Sequence, residues 1–395
     1  MHHKNTILFC SIAIALLCSC SSHAAPEISE ISGALASGNT LMIKGSGFGT
    51  KSTAPPLRYD NFENGVAGEN IMSTETASEG WFCPTGFVGH SGQDALSFSN
   101  EQWRYPGTQS AKQEYIIDKG PGLILSNSKI PGMIPPTKEL YVSGWFWFKM
   151  WDGLSINTKF INFGCEDVIK TDDTGIETLS GWQSRVDGYP ASSSVNNSHL
   201  YAYLSDGCTQ KRSDGTAPKA NFQTPFNNLF RPDEAWHRVE TYLRIGTNGY
   251  RDYYIDSVKI GNVQGAFTSD NCSIGYLLIG HYFKSDRGID DPKAVRYWDE
   301  LYVDVTRARV EIGDASDFNS SSHREIQIPI TWNDKYLEIT LNKGSFDTLE
   351  DKYLFVIDAD NNPSGGFPLG DVTSKLSLPS IATKPTIVKD FSVIH

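Results

Sequence analysis

The sequence predicts an all-β chain, and three observations carry that expectation. Runs rich in β-branched and aromatic residues, with apolar side chains at every second position, recur from Thr40 to Asp358. Outside the first twenty residues, no stretch of ten or more follows the 3.6-residue period of an amphipathic helix. Turn signals separate the runs: Asp187-Gly188, Asp206-Gly207, Asp214-Gly215, Asn248-Gly249 and Pro363-Ser364-Gly365-Gly366.

The strands follow in order. In 40–44, Leu41 and Ile43 alternate with Thr40, Met42 and Lys44. Segment 113–117 is short and mixed, whereas 140–149 carries Trp145, Phe146, Trp147 and Phe148 in succession. Segments 159–163 and 199–204 come next, the latter setting His199, Tyr201 and Tyr203 against Leu200, Ala202 and Leu204. Segment 236–245 divides Arg238, Glu240, Tyr242 and Arg244 from Val239, Thr241, Leu243 and Ile245. The segments 252–260, 276–282 and 296–303 are aromatic-rich, and 325–329, 336–341 and 353–358 complete the set.

The 395 residues hold 34 Lys and Arg against 46 Asp and Glu, a net charge of −12 without a dense basic run. That balance offers no footprint for a phosphate backbone, so nucleic acid is not an expected partner. With 35 Gly and 19 Pro the chain is neither collagen-like nor of low complexity.

The amino terminus reads as an export signal, with Lys4 followed by an apolar run from Ile7 to Leu17 that is too short to span a bilayer. Two cleavage sites compete. Leu17-Cys18-Ser19-Cys20 gives a signal over 1–19 and a lipidation site at Cys20; Ser22-His23-Ala24 gives cleavage after 24 and a free secreted or periplasmic protein. With Ser21 rather than Asp beside Cys20, a lipidated chain is expected on the outer membrane. Cys83, Cys165, Cys208 and Cys272 remain for the folded body, an even number without a C-x-x-C pair. They are disulfide candidates rather than zinc ligands, and Cys165 and Cys208, each just past a strand, are the favoured pair. No metal and no cofactor are expected.

Two resemblances organise the chain. Residues 26–57, with Leu41 and Ile43 inward and Gly45, Gly47 and Gly49 around Phe48, resemble the opening of an IPT/TIG domain, an Ig-like sandwich. The closing half of that pattern returns in 307–372, where Ile330 to Leu341 and Asp351 to Asp358 carry it, followed by a tail over 373–395. Between them, 58–306 resembles the concanavalin A-like lectin/glucanase jelly roll. The resemblance lies in the run Leu140 to Phe148, Trp236-His237-Arg238-Val239-Glu240, the hairpin around Asp256-Ser257 and the closing Trp298-Asp299-Glu300-Leu301-Tyr302-Val303-Asp304. The expectation is one small sandwich interrupted by a larger one.

The jelly-roll resemblance implies a glycan on a concave sheet face, with Lys159, Arg185, His199, Tyr201, Tyr203, Glu240, Tyr242 and Arg244 as binding candidates. The leading expectation is an exported lectin-like protein whose partner is a polysaccharide or cell-surface glycan. A polysaccharide lyase in the same groove is the alternative: it needs a cation beside the uronate carboxylate, a base and an acid, which Arg or Lys, His and Tyr supply. A surface adhesion module is the third reading. The R-T/S-E, Q-I-H and Y-F-K-A-G-x-Y strings of alginate lyases are absent as such, Tyr282-Phe283-Lys284 matching only the start of the last, and the E-x-D-x-E strand of retaining glucanases is absent as well. His237 and His281 read as structural, and Asp358-Ala359-Asp360-Asn361-Asn362 as a polar turn, because Pro363 stands where a calcium loop needs Gly.

Overall fold

A computed structural model of the chain describes residues 24–71, 81, 96–114, 123–126, 132–150, 156–165, 169–171, 177–179, 183–189, 199–205, 220–224, 234–246, 249–265, 273–280, 283–285, 294–370 and 372. They form β-strands with one short 3-10 turn at Phe318–Ser320, in agreement with the all-β expectation. Cys165 ends its strand; Cys20, Cys83, Cys208 and Cys272, with His281 and Tyr282, lie outside the described residues.

Two antiparallel sheets make the larger sandwich. One runs Val258–Gly265, Gly249–Ile255, Trp236–Arg244, Glu139–Met150, Ala294–Asp304, Ser110–Glu114, Ser97–Ser99, with Arg58–Asp60 also on Ala294–Asp304. The other runs Ala220–Thr224, His199–Ser205, Gln183–Tyr189, Ile156–Cys165, Ile274–Ile279, Leu123–Ser126, with Phe283–Ser285 also on Ile156–Cys165. Alternation decides what goes between them: Leu140, Val142, Phe146 and Phe148 from the first sheet meet Ile161, Phe163, Leu277 and Ile279 from the second in one core. Gly144 is required there, since a Cβ would lie 2.4 Å from Leu301.

The chain ends build a smaller sandwich. Thr40–Ser46 lies between Glu27–Ser32 and Tyr336–Thr340, with Leu41 opposite Ile339 and Ile43 opposite Leu337, and Ile328–Asn333 forms the far edge. Its second sheet runs Arg324–Ile326, Arg309–Gly313, Tyr353–Ile357, Phe367–Pro368. Leu41, Ile43, Phe48, Val310, Ile312, Leu337, Ile339, Leu354 and Val356 share a buried core. A Cβ on Gly45 would fall 1.9 Å from the Glu27 carbonyl and 2.5 Å from the Phe48 ring, so only glycine lets that ring close the sandwich.

The hairpin expected around Asp256-Ser257 is present: the two residues take positive φ of 47° and 69° and turn Gly249–Ile255 back into Val258–Gly265, so 252–260 is not one continuous strand. Two further local expectations need correction. Segment 325–329 is split, Arg324–Ile326 pairing in one sheet and Ile328–Asn333 in the other. Gln327 makes the switch, its amide donating to the carbonyls of Glu325 (3.0 Å) and Asn342 (2.8 Å). Asp187-Gly188 is not a turn but the interior of Gln183–Tyr189, which pairs on both sides.

The two sandwiches meet face to face through buried charge. Arg309 and Glu311 project from the small sandwich opposite to Val310 and Ile312, and Arg238 and Glu240 project likewise from the large one. The Glu311 carboxylate accepts from Arg238 (3.0 Å), Arg309 (2.5 Å) and Arg324 (2.8 Å), and Arg238 also donates to the Arg324 carbonyl at 2.8 Å. Burial opposes the Glu311 charge, but the three guanidiniums hold its carboxyl far below the usual range. A second group surrounds Arg104, which binds Glu325 (2.6 Å) and Glu300 (3.3 Å) and lies 3.4 Å from the centroid of Trp145. Burial raises Glu325 as well, yet Arg104 and His323 hold it at about 2; for Glu300 burial wins over Arg104 and the carboxyl rises to about 7.

Glu311→Ala leaves three buried guanidiniums short of their shared acceptor and is expected to cost about 3–5 kcal/mol in urea unfolding. Glu300 acts in the opposite sense to a salt-bridged acid. Its folded pKa lies above the ordinary 4.5, so stability falls as pH rises from 4.5 through about 7. Glu300→Gln is expected to flatten that limb of the stability profile, read from thermal melts between about pH 4 and 8.

Candidate functional site

The site candidates divide between two sheets. Lys159, Arg185, His199, Tyr201 and Tyr203 belong to the sheet of Gln183–Tyr189, whereas Glu240, Tyr242 and Arg244 belong to Trp236–Arg244 in the opposite sheet. A groove containing Tyr201 and Tyr242 together does not exist, because the core of the larger sandwich separates the sheets.

On the sheet containing Gln183–Tyr189 the register aligns polar residues in rows. Ile161, in the core, pairs with Val186, which pairs with Ala202 and, across it, Phe222. The neighbouring row of the register is Asn162, Arg185, Tyr203 and Asn221. The next row is Lys159, Asp187, Tyr201 and Gln223, and beyond it His199 stands opposite Tyr189. A bulge makes the second row: between Val186 and Asp187 the facing strand holds one extra residue, Phe160, so Lys159 comes opposite Asp187. Such rows are spaced about 7 Å along strands about 4.8 Å apart.

Asn162, Asp187, Tyr189, Asn221 and Gln223 escape the sequence reading. Gln183, Arg185, Asp187 and Tyr189 do alternate with Ser184, Val186 and Gly188, but that signal is hidden by Asp187-Gly188, a pair that ordinarily marks a turn.

Glu240 and Tyr242 need a different account from an open groove. Glu240 is 2% and Tyr242 4% exposed, both under the small sandwich. Glu240 accepts from Tyr141 Oη at 2.6 Å and Arg238 at 3.2 Å, and the Tyr242 ring lies 4.3 Å from the Arg307 guanidinium, itself held by Asp252 at 2.6 Å. Burial, aided by Glu139, pushes the Tyr242 hydroxyl far above its usual range. Arg244, at the strand end, is exposed. The polar stripe of Trp236–Arg244 is thus an internal contact surface.

The remaining motifs are structural. His237 Nδ1 lies 2.6 Å from Asp256 at the hairpin turn. Asp358 accepts from the Asn362 backbone (2.7 Å) and side chain (2.9 Å), while Asn361 accepts from Arg309 (3.0 Å), which makes 358–362 a closed turn. Among the described residues no three His, Cys, Asp or Glu side chains are grouped to hold a metal ion.

No protein-family model matches the chain, and no curated protein does. Solved structures similar to it include an endo-β-1,4-glucuronan lyase from the fungus Trichoderma reesei, at 16% identity over 57% of this chain and 91% of that one, with a TM-score of 0.41. Another is the alginate lyase vAL-1 from Chlorella virus, at 10% identity over 53% and 90%, with a TM-score of 0.38. A third is a GH16 protein of a Bacteroides ovatus mixed-linkage glucan system, at 12% identity over 62% and 99%, also with a TM-score of 0.38.

Tyr242→Ala is expected to cost about 3–5 kcal/mol of stability, as buried aromatic truncations do, read as a lowered midpoint in thermal melts.

Proposed function

We propose that the protein is an exported carbohydrate-binding protein that holds a polysaccharide along the outer face of the sheet containing Gln183–Tyr189. The observation that carries this reading is the register of three adjacent strands, which aligns Arg185 with Tyr203, Asp187 with Tyr201 and Lys159, and Tyr189 with His199. Aromatic faces suit sugar rings, and amides and carboxylates suit hydroxyls. The smaller sandwich is read as IPT/TIG-like, a support for the larger one. The leader 1–19 is read as a signal that leaves Cys20 for lipidation and retention at the outer membrane.

Lyase chemistry in the same groove is the second reading, and the cation-phenol alignment favours it. Arg185 opposite Tyr203 sets a group able to neutralise a uronate carboxylate one strand away from a group able to move a proton, with His199 and Tyr201 on the same strand as Tyr203.

The test is incubation of the purified chain with polyuronates and neutral glucans, following ultraviolet absorbance of unsaturated product and retardation in polymer-containing gels. Retardation without product selects the lectin and product the lyase; neither one overturns both. Arg185→Ala is expected to weaken retention on polyuronate at least about tenfold, roughly 1.4 kcal/mol, with an unchanged melting temperature.

A further inference from the structure

We infer that residues 102–108 form a second glycan platform, on the opposite side of the molecule from the proposed groove, which stacks an acidic polysaccharide on Trp103 and Tyr105. The two rings are 44% and 58% exposed. Arg104 between them points the other way. It is 4% exposed, donates its backbone N–H to Asp299 at 2.9 Å, grips Glu300 and Glu325, and stacks on Trp145.

The far end of the loop is fixed as firmly. The Glu63 carboxylate accepts from the backbone N–H of Thr108 (2.6 Å), its hydroxyl (2.6 Å) and the Gln109 N–H (2.9 Å), while Ser110 donates to the Gln102 carbonyl at 2.5 Å. Two large apolar rings are therefore held out in water by a backbone with little freedom to withdraw them. A ligand that stacks on them meets a surface already ordered, and little further entropy is lost on binding.

Charge names the class of ligand. Lys343, from the small sandwich, sets its ammonium 5.2 Å from the Tyr105 ring centroid and donates to the Asp347 carbonyl at 3.0 Å; among the described residues it has no carboxylate partner. A cation without a counter-ion among the described residues, beside the Tyr105 ring, suits a glycan that carries carboxylates. Area argues against a second protein chain: about half of two aromatic side chains is roughly 200 Å², against about 800 Å² per partner in a stable protein interface.

The experiment uses the full chain in gels containing alginate, polyglucuronate or a neutral β-glucan. Replacing both rings (Trp103→Ala with Tyr105→Ala) is expected to lower retention on the two polyuronates at least about tenfold, with the melting temperature unchanged. Lys343→Gln is expected to lower it severalfold on the polyuronates and not on the neutral glucan. Retention unchanged in the double variant overturns the platform, as does a wild-type chain that self-associates in sedimentation through the two rings. Arg185→Ala reports on the sheet alone. Loss there with no loss in the double variant leaves the groove and removes the platform, and the reverse leaves the platform and removes the groove.

Discussion

The Glu311 carboxylate, buried among Arg238, Arg309 and Arg324, is the interaction on which the arrangement of the molecule depends. Each sheet at the junction turns its main apolar side to its own sandwich core, so stripes of charged and aromatic residues are left to meet. Two polar stripes can be pressed together only if nearly every charge finds a partner, since an isolated buried ion costs several kcal/mol. The partners are distributed accordingly. Glu311 comes from the small sandwich and Arg238 from the large one, with Glu240 and Tyr141 of the large sandwich completing the group. Such a contact is weak evidence for stability and strong evidence for one relative orientation, because a slipped register would leave ions unpaired.

That orientation has a functional corollary. The small sandwich covers the outer side of the sheet containing Trp236–Arg244, and the sheet containing Gln183–Tyr189 lies beyond the core. Of the two broad faces of the larger sandwich, the one on the Trp236–Arg244 side is given to internal contact. A second ionic group at the same junction, Glu300 and Glu325, anchors Arg104 and with it the loop carrying Trp103 and Tyr105.

The strands are legible in the sequence because alternation reports which residues share a face. Leu41 and Ile43 against Thr40 and Met42, or Val239 and Leu243 against Glu240 and Tyr242, can be divided from spacing alone. What that face meets is a different quantity. Arg238, Glu240 and Tyr242 read as a groove because buried charge is expensive, and the compensating stripe, Arg309 and Glu311 with Arg324, lies about seventy residues downstream. Matching charge-alternating stripes across the chain would have suggested their union. The bulge that brings Lys159 opposite Asp187 has no such signal, since one extra residue in a strand changes register without changing composition.

The turn dipeptides carry the same lesson at shorter range. Asp256-Ser257 turns although it lacks glycine, because both residues are held at positive φ by a hairpin whose strands are fixed on either side, with His237 and the Arg238 N–H bound to the Asp256 carboxylate. Asp187-Gly188 does not turn, because neighbours on both sides offer its backbone ladder partners that a turn would forfeit. Local preference amounts to about 1 kcal/mol per residue, and two flanking ladders outweigh it. In this chain that outcome keeps Arg185, Asp187 and Tyr189 on one continuous strand, at alternate positions of its register.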